Sequence, residues 1–61
     1  MTREEAKAIA SIMLEADGGC YLCAAYLCED FAKTFPPFRE VIEDVYSQRY
    51  DSKPIESIEN P

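Results

Sequence analysis

Apolar residues recur along most of this chain at intervals of three and four, which is the spacing of one face of a helix. The periodic segments are separated by Gly18-Gly19 and Pro36-Pro37, residue pairs that end helices. The pattern therefore predicts three helices, over about residues 2–16, 20–34 and 37–50. Thr2 and Glu5 have the spacing of a capping box, which favours a helix start at the beginning of the chain.

Residues 20–28 are almost wholly apolar, so a buried strand is the alternative to a helix in this segment. Its alanine and leucine content favours a helix, and the helical spacing continues as far as Phe35. We therefore expect the second segment to be helical.

Three amphipathic helices with short connections predict an all-α fold, namely a small antiparallel three-helix bundle formed by residues 1–50. Residues 51–61 are polar and contain two prolines, which indicates a C-terminal tail. Ile55 and Ile58 are three residues apart, so one turn of this tail is able to dock on the bundle. The expected core comprises Ile9, Met13, Ala24, Leu27, Cys28, Phe31, Phe38, Val41, Ile42 and Val45.

The charge balance bounds the choice of partners. The chain has 61 residues, which allows a single domain, and a net charge of −6 from twelve acidic and six basic residues. The basic residues are scattered singly, so direct binding of nucleic acid or of an anionic membrane is not expected. An acidic surface favours a basic protein surface as partner. No targeting segment or membrane span is apparent, and we expect a cytoplasmic protein with reduced thiols.

The three cysteines allow more than one interpretation. Cys20 and Cys23 form a C-x-x-C at a predicted helix start, a spacing used by redox disulfides and by half of a zinc site. A zinc site needs four ligands, yet only Cys28 remains and histidine is absent. We expect Cys20 and Cys28 to be small buried apolar residues and Cys23 to be the most exposed thiol. Thiol-redox or metal-binding activity at Cys20 and Cys23 is the alternative.

Catalytic chemistry has little support in this sequence. Histidine, the usual general base near neutral pH, is absent. The adjacent acidic pairs Glu29-Asp30 and Glu43-Asp44 diverge by about 100° on a helix, so neither pair converges on one substrate atom. There is no phosphate-binding glycine loop. We therefore expect a protein that is not an enzyme and uses no cofactor.

The acidic residues and the tyrosines of the second and third helices are the features that favour binding. Acidic side chains attract a basic surface, and tyrosine is enriched at interaction hot spots. We expect a non-enzymatic interaction module or inhibitor that binds a larger protein, at a basic surface able to hold nucleic acid. The predicted partner-binding residues are Glu40, Glu43, Asp44, Tyr46 and Tyr50, supported by Glu29, Asp30 and Tyr26.

In size, charge and helical make-up the chain resembles the very small acidic helical inhibitors that phages use against host defences, including anti-CRISPR proteins. No sequence motif carries this resemblance, so it assigns no site residue. It implies a phage anti-defence role. A homodimeric structural accessory protein is a further alternative, because a chain this short gains stability by dimerising.

Overall fold

The computed structural model describes residues 1–61 and contains helices and connections but no strand. The prediction of an all-α fold is confirmed, and the strand alternative for residues 20–28 is wrong. The number of helices is four rather than three, because a further helix forms in the segment expected to be a tail. The helices are α1 (Arg3–Ala16), α2 (Tyr21–Thr34), α3 (Arg39–Tyr50) and α4 (Pro54–Glu59), with a short 3-10 helix (Pro36–Phe38) before α3.

The start of α1 is fixed by the predicted capping box. The Thr2 hydroxyl accepts a hydrogen bond from the Glu5 amide at 3.1 Å, and the Glu5 carboxylate accepts one from the Thr2 amide at 2.8 Å. These bonds satisfy two amides that have no partner within the helix. The bond from the Thr2 main chain is the largest of the effects that lower the pKa of Glu5.

Left-handed backbone conformations end α1 and α3. Gly18 and Gly19 follow α1 with φ values of +67° and +91°, a region that glycine enters without a steric penalty. Asp51 ends α3 with φ of +56° although it carries a Cβ atom. The Pro36-Pro37 pair ends α2, as predicted, and begins the 3-10 helix.

The core is built from unusually small side chains. Five of its twelve members are alanines, so the helices that they line can approach closely. Large buried residues are few, and Leu14, Ile42 and Tyr46 are among the largest. The full core consists of Ala6, Ala10, Leu14, Ala24, Ala25, Cys28, Phe31, Ala32, Val41, Ile42, Val45 and Tyr46.

The predicted burial is wrong for two residues of the expected core. Ile9 is 39% exposed and Leu27 is 41% exposed. In α1 the buried row runs through Ala6, Ala10 and Leu14, which are four residues apart, and Ile9 lies at the edge of that row. Met13 and Phe38 are only partly buried against the core, and the other predicted members are buried.

The fourth helix packs mainly against α2. Pro54 and Ser57 are buried, and Ile58 packs against the core. A proline suits the first turn of a helix because its missing amide has no partner there in any case. The expected docked turn is thus a six-residue helix. No helix of the structure combines the length and the apolar character that crossing a membrane requires.

Candidate functional site

Arg39 joins α2 to α3 through two carboxylates. Its guanidinium lies 3.0 Å from Glu29 of α2 and 3.6 Å from Glu43, one turn further along α3. The hydrogen bond to Glu29 is the main reason that the pKa of Arg39 is raised. Glu29 is 7% exposed, which leaves little of its surface for the supporting contact with a partner that the sequence predicts. A buried carboxylate needs its charge partner inside the fold.

Three exposed acidic residues lie on the two helices that this ion pair joins. Asp30 is the chain neighbour of Glu29, and Glu40 is the chain neighbour of Arg39; both are exposed. Asp44 lies one turn beyond Glu40 and is exposed as well. Tyr26, one turn before Asp30, has 54% of its surface exposed. We call these four residues, Tyr26, Asp30, Glu40 and Asp44, the α2–α3 acidic surface. None of its three acids forms an ion pair.

Tyr46 is fully buried, which leaves no exposed surface for the contact with a partner that the sequence predicts. Its hydroxyl lies 3.0 Å from the Tyr21 carbonyl oxygen and 2.8 Å from the Ser57 hydroxyl. A carbonyl only accepts, so the phenol proton goes to Tyr21 and the Ser57 hydroxyl donates to the phenol oxygen. Burial raises the pKa of Tyr46. Tyr46 therefore links α2, α3 and α4.

Tyr50 is half-buried and packs among the other tyrosines. Its ring centroid is 4.9 Å from that of Tyr46 and 6.4 Å from that of Tyr21. Its hydroxyl oxygen is buried without a hydrogen-bond partner. Most of the Tyr50 ring therefore contributes to the packing between α2 and α3. Of the three tyrosines predicted to contact a partner, Tyr26 is the one whose side chain is exposed.

Most of the remaining acidic side chains also lack an ion-pair partner. Besides Arg39, only Arg49 forms an ion pair; it binds the Glu15 carboxylate and donates to the Leu14 carbonyl. Three of the twelve acidic residues are thus paired. The negative potential of the surface is consequently only partly neutralised from within the chain.

Cys20 and Cys23 are joined by a disulfide at the start of α2. The expectation of reduced thiols is therefore wrong for this pair, as is the expectation that Cys20 is buried, since both residues are exposed. Cys20 is the N-cap residue of α2, and its sulfur accepts a hydrogen bond from the Cys23 amide at 3.2 Å. The pair thus occupies the positive end of a 14-residue helix.

Cys28 is free and buried, as predicted. Burial is the largest cause that raises its pKa to about 11, and the charges of Glu29 and Asp17 add to this. A thiol of this kind stays protonated and unreactive near neutral pH.

Asp17 adds a carboxylate to the cysteine pair. One oxygen of Asp17 and the sulfurs of Cys20 and Cys23 all lie within 4.8 Å of one another. The Asp17 Oδ2 atom is buried and has no hydrogen-bond partner. Sequence spacing did not identify Asp17 as a member of this cluster. The only signal was its place three residues before Cys20, across a glycine pair that turns the chain back.

A metal ion would find at most three donors in this cluster, one fewer than a tetrahedral zinc site needs. The largest surface depression, of about 570 Å³, is lined by Gly19, the residue before Cys20, but by neither cysteine. Its other lining residues are Tyr21, Tyr50, Ser52, Glu56, Ser57 and Asn60.

Comparison of the chain with protein-family models, with curated proteins and with solved structures finds no match.

Proposed function

We propose that the protein is a non-enzymatic interaction module whose α2–α3 acidic surface binds a basic surface of a larger protein. The observation that carries the proposal is that Asp30, Glu40 and Asp44 are exposed, unpaired acids on the two helices that the Arg39–Glu29 ion pair joins. Because the ion pair ties α2 to α3, the helix positions that carry these charges are set before any partner arrives. A prearranged charge pattern loses less conformational entropy on binding.

Tyr26 gives this surface an apolar contact. Its side chain is the exposed tyrosine next to the acids, and tyrosine contributes contact area with few rotatable bonds. The acids are expected to act mainly on the association rate through long-range attraction. Tyr26, once covered by the partner, is expected to act on the dissociation rate.

A basic surface that holds nucleic acid is the partner that we propose, with inhibition by competition as the outcome. Helix α3 has 12 residues and so is about 18 Å long. Duplex DNA carries about ten phosphates over that distance. The surface has three free acids, so it would cover part of a basic groove rather than imitate a duplex.

The proposal includes an antiparallel order of the first three helices, which would stiffen the surface. Tyr21 at the start of α2 lies beside Tyr50 at the end of α3. Glu29, in the second half of α2, bonds to Arg39 at the start of α3. These contacts support opposite directions for α2 and α3.

The experiment is affinity capture with matched baits from an extract of the source cell, followed by mass spectrometry. The baits are the unaltered protein, Glu40→Lys, and Glu59→Lys, which makes the same charge change at an exposed residue of α4. We expect one basic protein to be retained by the unaltered and Glu59→Lys baits, and released by added salt. Retention by Glu40→Lys equal to that by Glu59→Lys would contradict the assigned surface, and recovery of no specific protein would contradict the function.

A further inference from the structure

The cluster of Cys20, Cys23 and Asp17 lies outside the acidic surface and carries an inference independent of the proposed function. We propose that Cys20 and Cys23 form a reversible thiol–disulfide exchange site in which Asp17 stabilises the dithiol state. The reaction partner is a small thiol and its disulfide, of which glutathione is the type, or an exposed protein disulfide.

Access to the sulfurs supports exchange with an external reactant. Both cysteines are exposed, which is unlike the buried Cys28. The chain neighbours of Cys20, Gly19 and Tyr21, line a surface depression, although neither cysteine lines it. Exposed disulfides are the labile ones, because a thiolate must reach a sulfur atom to react.

The two sulfurs are not equivalent. Only the Cys20 sulfur accepts the Cys23 amide, and as N-cap it lies at the positive end of α2. Both features stabilise a negative charge on Cys20. The nearby Asp17 carboxylate disfavours a second negative charge. We therefore assign Cys20 as the thiol that loses its proton to become the attacking thiolate, and Cys23 as the thiol that stays protonated until the second step.

Asp17 favours the reduced pair through its unpartnered oxygen. In the disulfide state no sulfur carries a proton, and Asp17 Oδ2 is buried without a donor. A buried acceptor without a partner costs free energy. Reduction creates a Cys23 S–H group within 4.8 Å of an oxygen of that carboxylate, and rotation of the two side chains lets the carboxylate accept its proton. The reduced state gains an interaction that the oxidised state lacks.

The chemistry balances as a two-electron exchange. The Cys20 thiolate attacks one sulfur of a glutathione disulfide, forms a mixed disulfide and expels one glutathione thiolate. Cys23 then loses its proton to solvent and attacks the Cys20 sulfur, which forms the Cys20–Cys23 bond and expels the second glutathione thiolate. The expelled thiolates are protonated from solvent. The protein pair is oxidised by two electrons, and one glutathione disulfide is reduced to two thiols.

The test equilibrates the whole chain without oxygen in buffers of varied reduced-to-oxidised glutathione ratio. Acid quenching, alkylation in denaturant and intact-mass measurement then count the thiols, three when reduced and one when oxidised. We expect a single reversible transition with the helical circular dichroism kept in both states. A pair that stays oxidised or stays reduced at every ratio overturns the proposal. So does a reduced protein that retains one Zn²⁺ ion in native mass spectrometry and resists oxidation.

Matched variants test the role of Asp17. Asp17→Asn is expected to shift the equilibrium toward the disulfide by about threefold to tenfold, because one hydrogen bond to a charged acceptor is weakened. Asp51→Asn makes the same chemical change at an exposed residue at the end of α3 and is expected to leave the equilibrium unchanged. Equal equilibria for Asp17→Asn and Asp51→Asn overturn the assignment of Asp17.

Single-cysteine variants test the order of attack. Cys23→Ser leaves Cys20, which is expected to form its mixed disulfide with glutathione several times faster than Cys23 does in Cys20→Ser. Intact-mass measurement at neutral pH follows how fast each variant gains the mass of one glutathione, and the two rates give the order of attack. A faster reaction of Cys23 overturns the assignment of Cys20 as the nucleophile.

Discussion

The Tyr46 hydroxyl lies 2.8 Å from the Ser57 hydroxyl, and this buried contact ties α4 to α3. The same phenol also donates to the Tyr21 carbonyl of α2. Ser57 is in turn 3.1 Å from the Ser52 hydroxyl in the connection between α3 and α4. One side chain of α3 thus organises the whole C-terminal part of the chain.

Tyr46→Phe is expected to lower the free energy of unfolding by about 1–3 kcal/mol. The change removes only an oxygen, but it leaves the Tyr21 carbonyl and the Ser57 hydroxyl without this partner in a buried place. Urea unfolding followed by circular dichroism measures the effect. The control Tyr26→Phe removes the same oxygen from an exposed ring and is expected to change stability little. Equal effects of the two substitutions would contradict the assigned role of Tyr46.

Because the pKa of the buried Cys28 thiol is raised, we expect the protein to lose stability at alkaline pH. Burial raises its pKa from the ordinary value of 9.0 to about 11. Because the folded protein disfavours the thiolate, the stabilising effect of the neutral thiol is complete below pH 9.0 and is lost as the pH rises toward about 11. The raised pKa of Tyr46 acts in the same direction at higher pH.

The measurement is the urea midpoint between pH 8 and pH 11, for the unaltered protein and for Cys28→Ala. The variant is less stable at pH 8 because it loses packing, but its midpoint is expected to fall less steeply above pH 9. Parallel curves would show that Cys28 does not titrate as assigned. In the native protein at pH 8, we also expect iodoacetamide to leave Cys28 unmodified until denaturant is added.

The two carboxylates that bind Arg39 are expected to differ in how much they contribute to the free energy of unfolding. Glu29 has a side chain only 9% exposed and lies 3.0 Å from the guanidinium, whereas Glu43 is 20% exposed and lies 3.6 Å away. We expect Glu29→Gln to cost about 1–2 kcal/mol of stability, because a charged hydrogen bond in a partly buried place is weakened. Glu43→Gln is expected to cost less than about 0.5 kcal/mol, as for exposed pairs. Thermal unfolding of both variants measures the two losses of stability. A larger loss for Glu43→Gln than for Glu29→Gln would contradict this expectation.

The left-handed residues give a pair of substitutions with opposite signs. Gly18→Ala is expected to destabilise the fold by about 1 kcal/mol, because its φ of +67° is strained for alanine even though no atom obstructs the new Cβ. Asp51→Gly is expected to leave stability unchanged or to raise it by about 0.5 kcal/mol, since glycine adopts φ of +56° without strain. Denaturant midpoints measure both changes, and two changes of the same destabilising sign would contradict the backbone argument.

Local signals in the sequence predicted most of the helix ends. Thr2 with Glu5, the Gly18-Gly19 pair and the Pro36-Pro37 pair act within a few residues of themselves, so their effect does not depend on the rest of the fold. The burial of Ala24, Phe31 and Ile42 also follows from helical spacing.

The burial and the contacts that helical spacing did not predict arise between residues far apart in the sequence. Tyr46 is buried because Ser57 and α4 cover it, and Glu29 is buried because Arg39, ten residues later, neutralises it. Ser57 lies outside the helix that carries Tyr46, and Arg39 lies outside the helix that carries Glu29, so the spacing within those helices does not indicate either contact. The Asp17 contact with the cysteine pair depends in the same way on the path of a turn.

The alanine lining of the core has a consequence for how this sequence can vary. Ala10 and Ala24 have no exposed surface, so their packed neighbours already fill the space that a longer side chain would need. Enlarging Ala10 or Ala24 therefore has to move a whole helix, whereas changes on the outer faces move nothing. Variation of this chain over generations is thus expected to concentrate on its charges, while the distances between its helices stay constant.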